Sequence, residues 1–299
     1  MEIQASHLTK SKCVSTLAGK EKPMNIRLIA LDLDGTLLDS EKLLPERNKK
    51  AIQDCIARGI HIVPCTGRIA IGIPESIRQI PGIRYAITVN GGMVEDLQEK
   101  KILDEKLLSA RTAVEIYELV SGYHVMCDAY IRGAGFSERR CFENMADYGI
   151  PEVVQQLVRQ TRTPVDNLKD YIRDRNCMVD KLNLFMDDRR ERTEIRRKLE
   201  ERGDVLVSSS FPYNLEVNGL GATKGEGILR LAAILGIKPE ETMAFGDGEN
   251  DFSMMTSVGV GIAMENGEEK LKNMADYIAP NNDEAGVAQM IEKLVLSRP

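Results

Sequence analysis

Three times this 299-residue chain repeats one arrangement: a short apolar run, a polar loop opening on an acid or a hydroxyl, then a helical pattern. "LIALDLDGTLLD" at 28–39 leads into "LPERNKKAIQDCIARG", whose apolar spacing predicts a helix stopped at Gly59. "IHIVPCTGR" at 60–68 is the second such strand and loop, and "TMAFGDGENDFSMM" at 242–255 is the third. "VGVGIAM" and "DYIA" supply two more strands, each followed by helical pattern. Strands alternating with helices predict an α/β fold, a parallel sheet covered on both faces, with ligands gathering at the carboxyl ends of the strands. Asp32, Thr66 and Asp247 all fall at such ends.

The middle of the chain follows another grammar. From about Gly92 to Val217, "VMCDAYIR", "CMVDKLNLFM" and "DVLVSSSFPYNLEV" read as hairpin-like strands among polar helices, the most charged being "DDRRERTEIRRKLEERG". These pieces predict an inserted α+β domain over residues 93–217, leaving 25–92 and 218–299 as the parallel-sheet core. Residues 1–24 are polar and have no apolar stretch of the kind a secretory signal needs; they read as a disordered extension.

Composition narrows the function classes. A net charge of −6 with no basic block argues against a nucleic-acid surface, and no apolar run is long enough to span a bilayer. The six cysteines contain no C-x-x-C pair and only His7, His61 and His124 are available, which leaves little material for structural zinc or a His-assisted nucleophile. Free thiols in a reducing, cytoplasmic setting are expected, in a monomer or weak homo-oligomer, with His61 as a packed ring.

Two carboxylates one residue apart, Asp32 and Asp34, close the first strand. Burying them costs free energy unless something compensates, and an Asx-turn is the plain alternative. Asp247 and Asp251 follow the third strand, where a helix cap is again the plain reading. Together the two pairs would gather up to four negative charges at one sheet edge, tolerable only around a cation. All the donors are oxygen, so a hard ion such as Mg²⁺ is the natural choice. "TKGE" reads as a capping box, Thr223 as N-cap with Glu226 three residues on, opening a helix that ends at Gly236. Lys224 in its first turn sits against the helix dipole, which makes sense if the lysine faces an anionic pocket. Thr66 and Gly67 offer a hydroxyl and an unhindered N–H suited to phosphate oxygens. "GLGATKG" fails both the G-x-G-x-x-G and the G-x-x-x-x-G-K-[ST] patterns.

"DLDGTLLD", "CTGR", the Lys224 of "GATKG" and "FGDGENDFSMM" resemble, in order, the four motifs of the haloacid dehalogenase superfamily. "YAITVNGGMV", "GIAMENGEEKLKNMADYIAPNNDEAGVA" and the position of the insertion resemble its Cof-type phosphatases, which implies a Rossmann-like core with an α+β cap of the C2B kind. The resemblance covers about residues 25–299. It implies Asp32 as nucleophile toward a phosphate monoester and Asp34 as the acid, kept protonated, that later activates water. Thr66, Gly67 and Lys224 would hold the phosphoryl oxygens, with Asn250 touching phosphate or Lys224. Mg²⁺ would sit on Asp32, the Asp34 backbone carbonyl, Asp247 and Asp251. Tyr130, Arg132 and Lys181 of the cap, with Asn90 at the core edge, become candidates for substrate contact.

Small phosphorylated metabolites, sugar phosphates first, are the implied substrates. A phosphotransferase or phosphomutase on the same core is the alternative enzyme, and a non-catalytic phospho-ligand binder is a further one. Two departures stand out: Pro64, before "CTGR", where a local distortion is expected, and the N-terminal extension.

Overall fold

The computed structural model describes residues 25–297; the extension expected to be disordered lies outside the described residues. Fourteen strands are present among them, in chain order β1 (Leu28–Leu31), β2 (His61–Pro64), β3 (Tyr85–Thr88), β4 (Met93–Asp96), β5 (Lys101–Glu105), β6 (Met126–Ile131), β7 (Ala134–Glu138), β8 (Arg162–Val165), β9 (Lys181–Phe185), β10 (Val205–Ser208), β11 (Asn214–Gly219), β12 (Thr242–Gly246), β13 (Val260–Met264) and β14 (Tyr277–Ala279).

Five of them form an all-parallel sheet in the order β14-β13-β12-β1-β2. The period-2 rule explains why β1 has no polar residue: Leu28 and Ala30 pack into the core on one face, Ile29 and Leu31 into the core on the other. One face is covered by the helices Glu46–Ala57 and Gly286–Ile291, the other by Lys224–Ile234 and Phe252–Ser257. Each leucine or isoleucine so buried contributes roughly 1.5–3 kcal/mol. The helix Glu46–Ala57 stops as expected, with Gly59 in the left-handed region at φ +78°.

Pro64 keeps its register with Leu31, and Thr66 follows in place. The His61 and Cys65 amides donate to the carbonyls of Arg27, just before β1, and of Leu31 at its end, so alternation turns position 64 the other way. There the missing N–H removes no bond to β1.

The other large sheet has six strands in the order β10-β11-β9-β6-β7-β8, antiparallel except for β7 beside β8. Its three central strands alternate strictly. Cys127, Ala129, Leu182, Leu184, Leu215 and Val217 face a helical layer that includes Ala110–Val120, Leu168–Arg175 and Arg189–Arg202. Asp128, Tyr130, Lys181, Asn183, Glu216 and Asn218 occupy the opposite face and are nonetheless buried.

The boundary expected after residue 92 falls inside a third sheet. β4 and β5 form a hairpin on β3, which itself continues from β2 through a parallel bridge between Cys65 and Ile87. Val94 packs into the same cluster as Leu28 and Val63 on the parallel-sheet side, while Met93 packs with Tyr130 of β6. No helix among the described residues is long and apolar enough to cross a membrane.

Candidate active site

β1 lies between β12 and β2, so Asp32 beyond its end stands between Asp247 beyond β12 and Thr66 beyond β2. The Asp32 amide donates to the Phe245 carbonyl at 3.1 Å, which fixes the loop to the neighbouring strand. The helix Lys224–Ile234 opens beneath. Thr223 caps it, its hydroxyl accepting from the Glu226 amide at 3.1 Å, although the reciprocal bond of a full capping box is not formed. This start places Lys224, wholly buried, with its Nζ 2.5 Å from Asp32 Oδ1 and 2.6 Å from Asp251 Oδ1. The other oxygen of Asp251 accepts from the Asp247 and Gly248 amides at 2.8 and 3.0 Å, and Thr36 donates to Asp247 at 2.7 Å. Gly35 has φ +81°, and a Cβ there would collide with the Asp247 carboxylate; both reasons require glycine.

One oxygen from each of Asp32, Asp247 and Asp251 lies within 4.8 Å of the others. Burial lifts the Asp32 carboxyl well above its ordinary range, Asp251 and Asp247 add to the lift, and Lys224 offsets only part of it. Asp247 is pushed up to about 6, by burial and then by Asp251. Burial alone would lower Lys224, but Asp251 and Asp32 outweigh it and hold its pKa above the ordinary lysine value. Three carboxylates thus face one ammonium. The donor set is all oxygen, without His or Cys, and it fits a hard divalent cation.

A measurable pH effect follows. An acid whose folded pKa is raised stabilises the protein fully below the unfolded carboxylate range and loses that contribution as pH rises through the folded value, about 6 for Asp247. A divalent ion replaces the missing protons. The increase in Tm on adding MgCl2 should therefore be larger near pH 8 than near pH 5; a larger increase on the acid side would contradict the cluster's role.

Asp34 is not part of this cluster. Arg68 clasps its carboxylate with two bonds of 2.8 and 2.7 Å, and Lys42 stands 3.0 Å away. Burial would raise the Asp34 pKa, but Arg68 and then Lys42 outweigh it and the net shift is downward. The cations at Asp34 favour its ionised form and the crowded acids at Asp32 favour the neutral one, so the expected protonated Asp34 beside an ionised Asp32 requires a cation among Asp32, Asp247 and Asp251.

Thr66 is buried, and its hydroxyl oxygen accepts from the Arg68 amide at 3.1 Å. The Gly67 N–H has no protein acceptor among the described residues, and a Cβ at Gly67 would come within 2.7 Å of Asn90 Oδ1. Asn250 donates to that same Asn90 oxygen at 3.1 Å and makes no hydrogen bond to Lys224 or Asp32. Lys181 donates to the Gly67 carbonyl at 2.9 Å and to Glu216 at 2.6 Å, and Asn90 donates to Glu216 at 2.6 Å. Both candidates for substrate contact are therefore held by protein groups. Tyr130 is buried, its hydroxyl bonded to Arg162. Arg132 lies apart, exposed, on a cavity of about 580 Å³ whose walls include Ile69, Ile71, Met93, Ile102 and Met178.

Cys65 adjoins the site, but burial keeps its thiol pKa raised, so it offers no competing nucleophile. His61 packs against Tyr85 at 5.8 Å, as a structural ring should. Sequence reasoning gave no role to Arg68, Thr36 or Glu216. The signal for Glu216 was an acid alternating with Leu215 and Val217 in a buried strand.

A buried lysine between two aspartates, with a third at a neighbouring strand end, defines a centre for handling a phosphate group beside a divalent ion. Residues 29–291 match the family profile of the haloacid dehalogenase-like hydrolases. A 5-amino-6-(5-phospho-D-ribitylamino)uracil phosphatase of Bacillus subtilis is 28% identical over 277 residues, 93% of this chain and 99% of its own. A pyridoxal phosphate phosphatase of Escherichia coli is 26% identical over 268 residues, covering 90% and 98%. A solved haloacid dehalogenase-like hydrolase of B. subtilis superposes with a TM-score of 0.78 at 27% identity, covering 90% of this chain and 100% of that one. This chain belongs to the haloacid dehalogenase-like hydrolases, and it is a phosphatase.

Proposed function

We propose that the chain hydrolyses small phosphate monoesters in a Mg²⁺-dependent reaction through an aspartyl-phosphate on Asp32. The observation that carries this reading is the Lys224 ammonium bridging Asp32 and Asp251, with Asp247 in the same cluster. Asp32, Asp247, Asp251 and the Asp34 backbone carbonyl would hold the metal. When bound, a divalent ion supplies neutralisation of the phosphoryl charge and keeps Asp32 ionised.

The chain's own groups do the rest. An Asp32 oxygen attacks phosphorus and the bond to the leaving alcohol oxygen breaks. Lys224, the Thr66 hydroxyl proton and the Gly67 N–H hold the phosphoryl oxygens, so positioning and charge neutralisation do most of the work. Asp34 gives its proton to the leaving oxygen, then takes one from the water that cleaves the Asp32–phosphate bond and frees inorganic phosphate. The Arg68 clasp presets Asp34 for the second task; for the first it must loosen as the ester enters. The intact set of Asp32, Asp34, Lys224 and Asp247 weighs against a non-catalytic binder, and a phosphotransferase would differ only in presenting an alcohol where water attacks.

The family resemblance favours sugar phosphates. The cavity favours a second reading, an ester whose leaving group carries a flat heterocyclic ring: it abuts Ile69–Ile71, directly after Arg68, and its aliphatic walls are joined by Glu95, Glu105, Arg132 and Asp180, which can pair with polar groups on a ring. The ring-bearing compounds in the names of two relatives agree with this. The free thiols Cys55, Cys65, Cys127, Cys141 and Cys177 accord with a reducing, cytoplasmic location. The test is phosphate release over a panel of sugar phosphates, flavin mononucleotide and pyridoxal phosphate, with and without Mg²⁺. A higher kcat/KM for the ring-bearing esters supports the second reading, and no Mg²⁺-dependent release from any ester sinks both.

A further inference from the structure

Resting on the phosphatase reading, we propose that Lys181, Glu216 and Asn90 are positioning residues: a buried polar strut through which the six-stranded cap sheet holds both sides of the phosphoryl pocket. The strut can be followed bond by bond. Lys181 on β9 joins the Gly67 carbonyl, 2.9 Å away, to Glu216 on the adjacent β11, 2.6 Å away. The second oxygen of Glu216 accepts from Asn90 at 2.6 Å, and Asn90 accepts in turn from Asn250 at 3.1 Å. Asn218, also on β11, reaches Asn90 at 3.3 Å and the Val89 carbonyl at 3.1 Å. The turn after β2 and the loop after β12, far apart in sequence, are thereby tied together by groups of the cap.

The Lys181 ammonium has nothing left for a substrate. Its three donor directions meet the Gly67 carbonyl, Glu216 and the face of the Tyr130 ring, whose centroid is 5.2 Å away. Lys181 is 3% exposed, Asn90 3% and Glu216 4%. What the strut fixes is the Gly67–Arg68 peptide plane. Lys181 holds its carbonyl and the Thr66 hydroxyl holds its N–H, which keeps the preceding Gly67 N–H aimed as a free donor. On the Asn90 side the chain stores backbone strain. Val89 and Asn90 have φ of +54° and +55°, and a β-branched residue in that region persists only when its surroundings force it. The Val89 and Asn90 amides, donating to the Arg68 and Thr66 carbonyls at 2.9 and 3.0 Å, are part of that enforcement.

A strut acting through the phosphoryl pocket affects every ester alike and affects inorganic phosphate too, whereas a substrate contact affects only some leaving groups. The experiment compares Lys181→Met, Glu216→Gln and the double variant with wild type in Mg²⁺. It measures inorganic phosphate affinity by calorimetry and kcat/KM for an aryl phosphate and a sugar phosphate. Loss of a hydrogen bond to a charged group predicts about a tenfold or larger drop in phosphate affinity for each single variant. The kcat/KM of both esters should fall by a common factor, leaving their ratio within about twofold of wild type. Lys181→Met leaves Glu216 buried without its cation and can unfold; the double variant, which removes both charges, then carries the test. Unchanged phosphate affinity, or a changed ester ratio with phosphate affinity intact, overturns the strut. A wild-type protein that neither turns over an ester nor binds phosphate overturns the phosphatase reading itself, and this inference with it.

Discussion

Asp32→Asn is expected to lower Mg²⁺-dependent phosphate release by at least about 100-fold while leaving the protein as stable as wild type or more so. Asparagine keeps the shape of the side chain and can still sit against Lys224, but its amide oxygen does not form the phosphoryl bond. Stability is not expected to suffer, because the lost charge was unfavourable where it stood. Burial together with Asp251 and Asp247 lifts the Asp32 pKa, so the folded state gains by losing that charge at neutral pH. Lys224 keeps Asp251 as a partner at 2.6 Å. Turnover of an aryl phosphate and a thermal melt on the same sample separate the two effects. Activity retained in the variant would reject Asp32 as nucleophile.

Lys224→Met should do damage of both kinds. Lys224 is fully buried and is the cation between Asp32 and Asp251. Methionine fills much of the space but leaves two buried carboxylates facing each other and Asp247. Removing one partner from a buried ion pair typically costs about 3–5 kcal/mol, and that range is the expectation near pH 8 without added metal. The penalty should shrink as pH falls, because the carboxylates can then take up protons, and it should shrink when Mg²⁺ is added. Activity should fall by about 100-fold or more, since the phosphoryl group loses its lysine. Urea unfolding at two pH values checks the first part and single-turnover hydrolysis the second. A variant as stable as wild type near pH 8 would mean that the three carboxylates are not electrostatically coupled.

Much of this was legible in the sequence because it is local. A strand buried on both faces has to be a continuous apolar run, so β1, β12 and β13 announce themselves, and the residues just past β1, β2 and β12 mark the site. Thr223 at the head of a capped helix likewise fixed where Lys224 would start. What was not legible depends on long-range meetings. Asn90 and Glu216 are 126 positions apart, and nothing local in either segment names the other as partner. Their burial turns two expected substrate contacts into protein-held groups. The clasp on Asp34 was equally hidden: "CTGR" contains Arg68, but only the fold turns its guanidinium onto the acid. β5, rich in Lys, Asp and Glu, sends Leu103 toward the core and pairs Asp104 with Arg230, but leaves Lys101, Ile102 and Glu105 exposed, so its composition pointed away from the sheet it joins. β8, with Pro164 inside "RTPV", is an edge strand for the same reason that its sequence hid it.

The most direct measurement is chemical. The enzyme is quenched during turnover of an ester with Mg²⁺, the acyl-phosphate is trapped with hydroxylamine or borohydride, and the modified peptide is mapped. The adduct is expected at Asp32, absent without Mg²⁺ and absent in Asp32→Asn. Full-rate phosphate release with no adduct at Asp32, or an adduct on any other residue, would contradict Asp32 as the nucleophile.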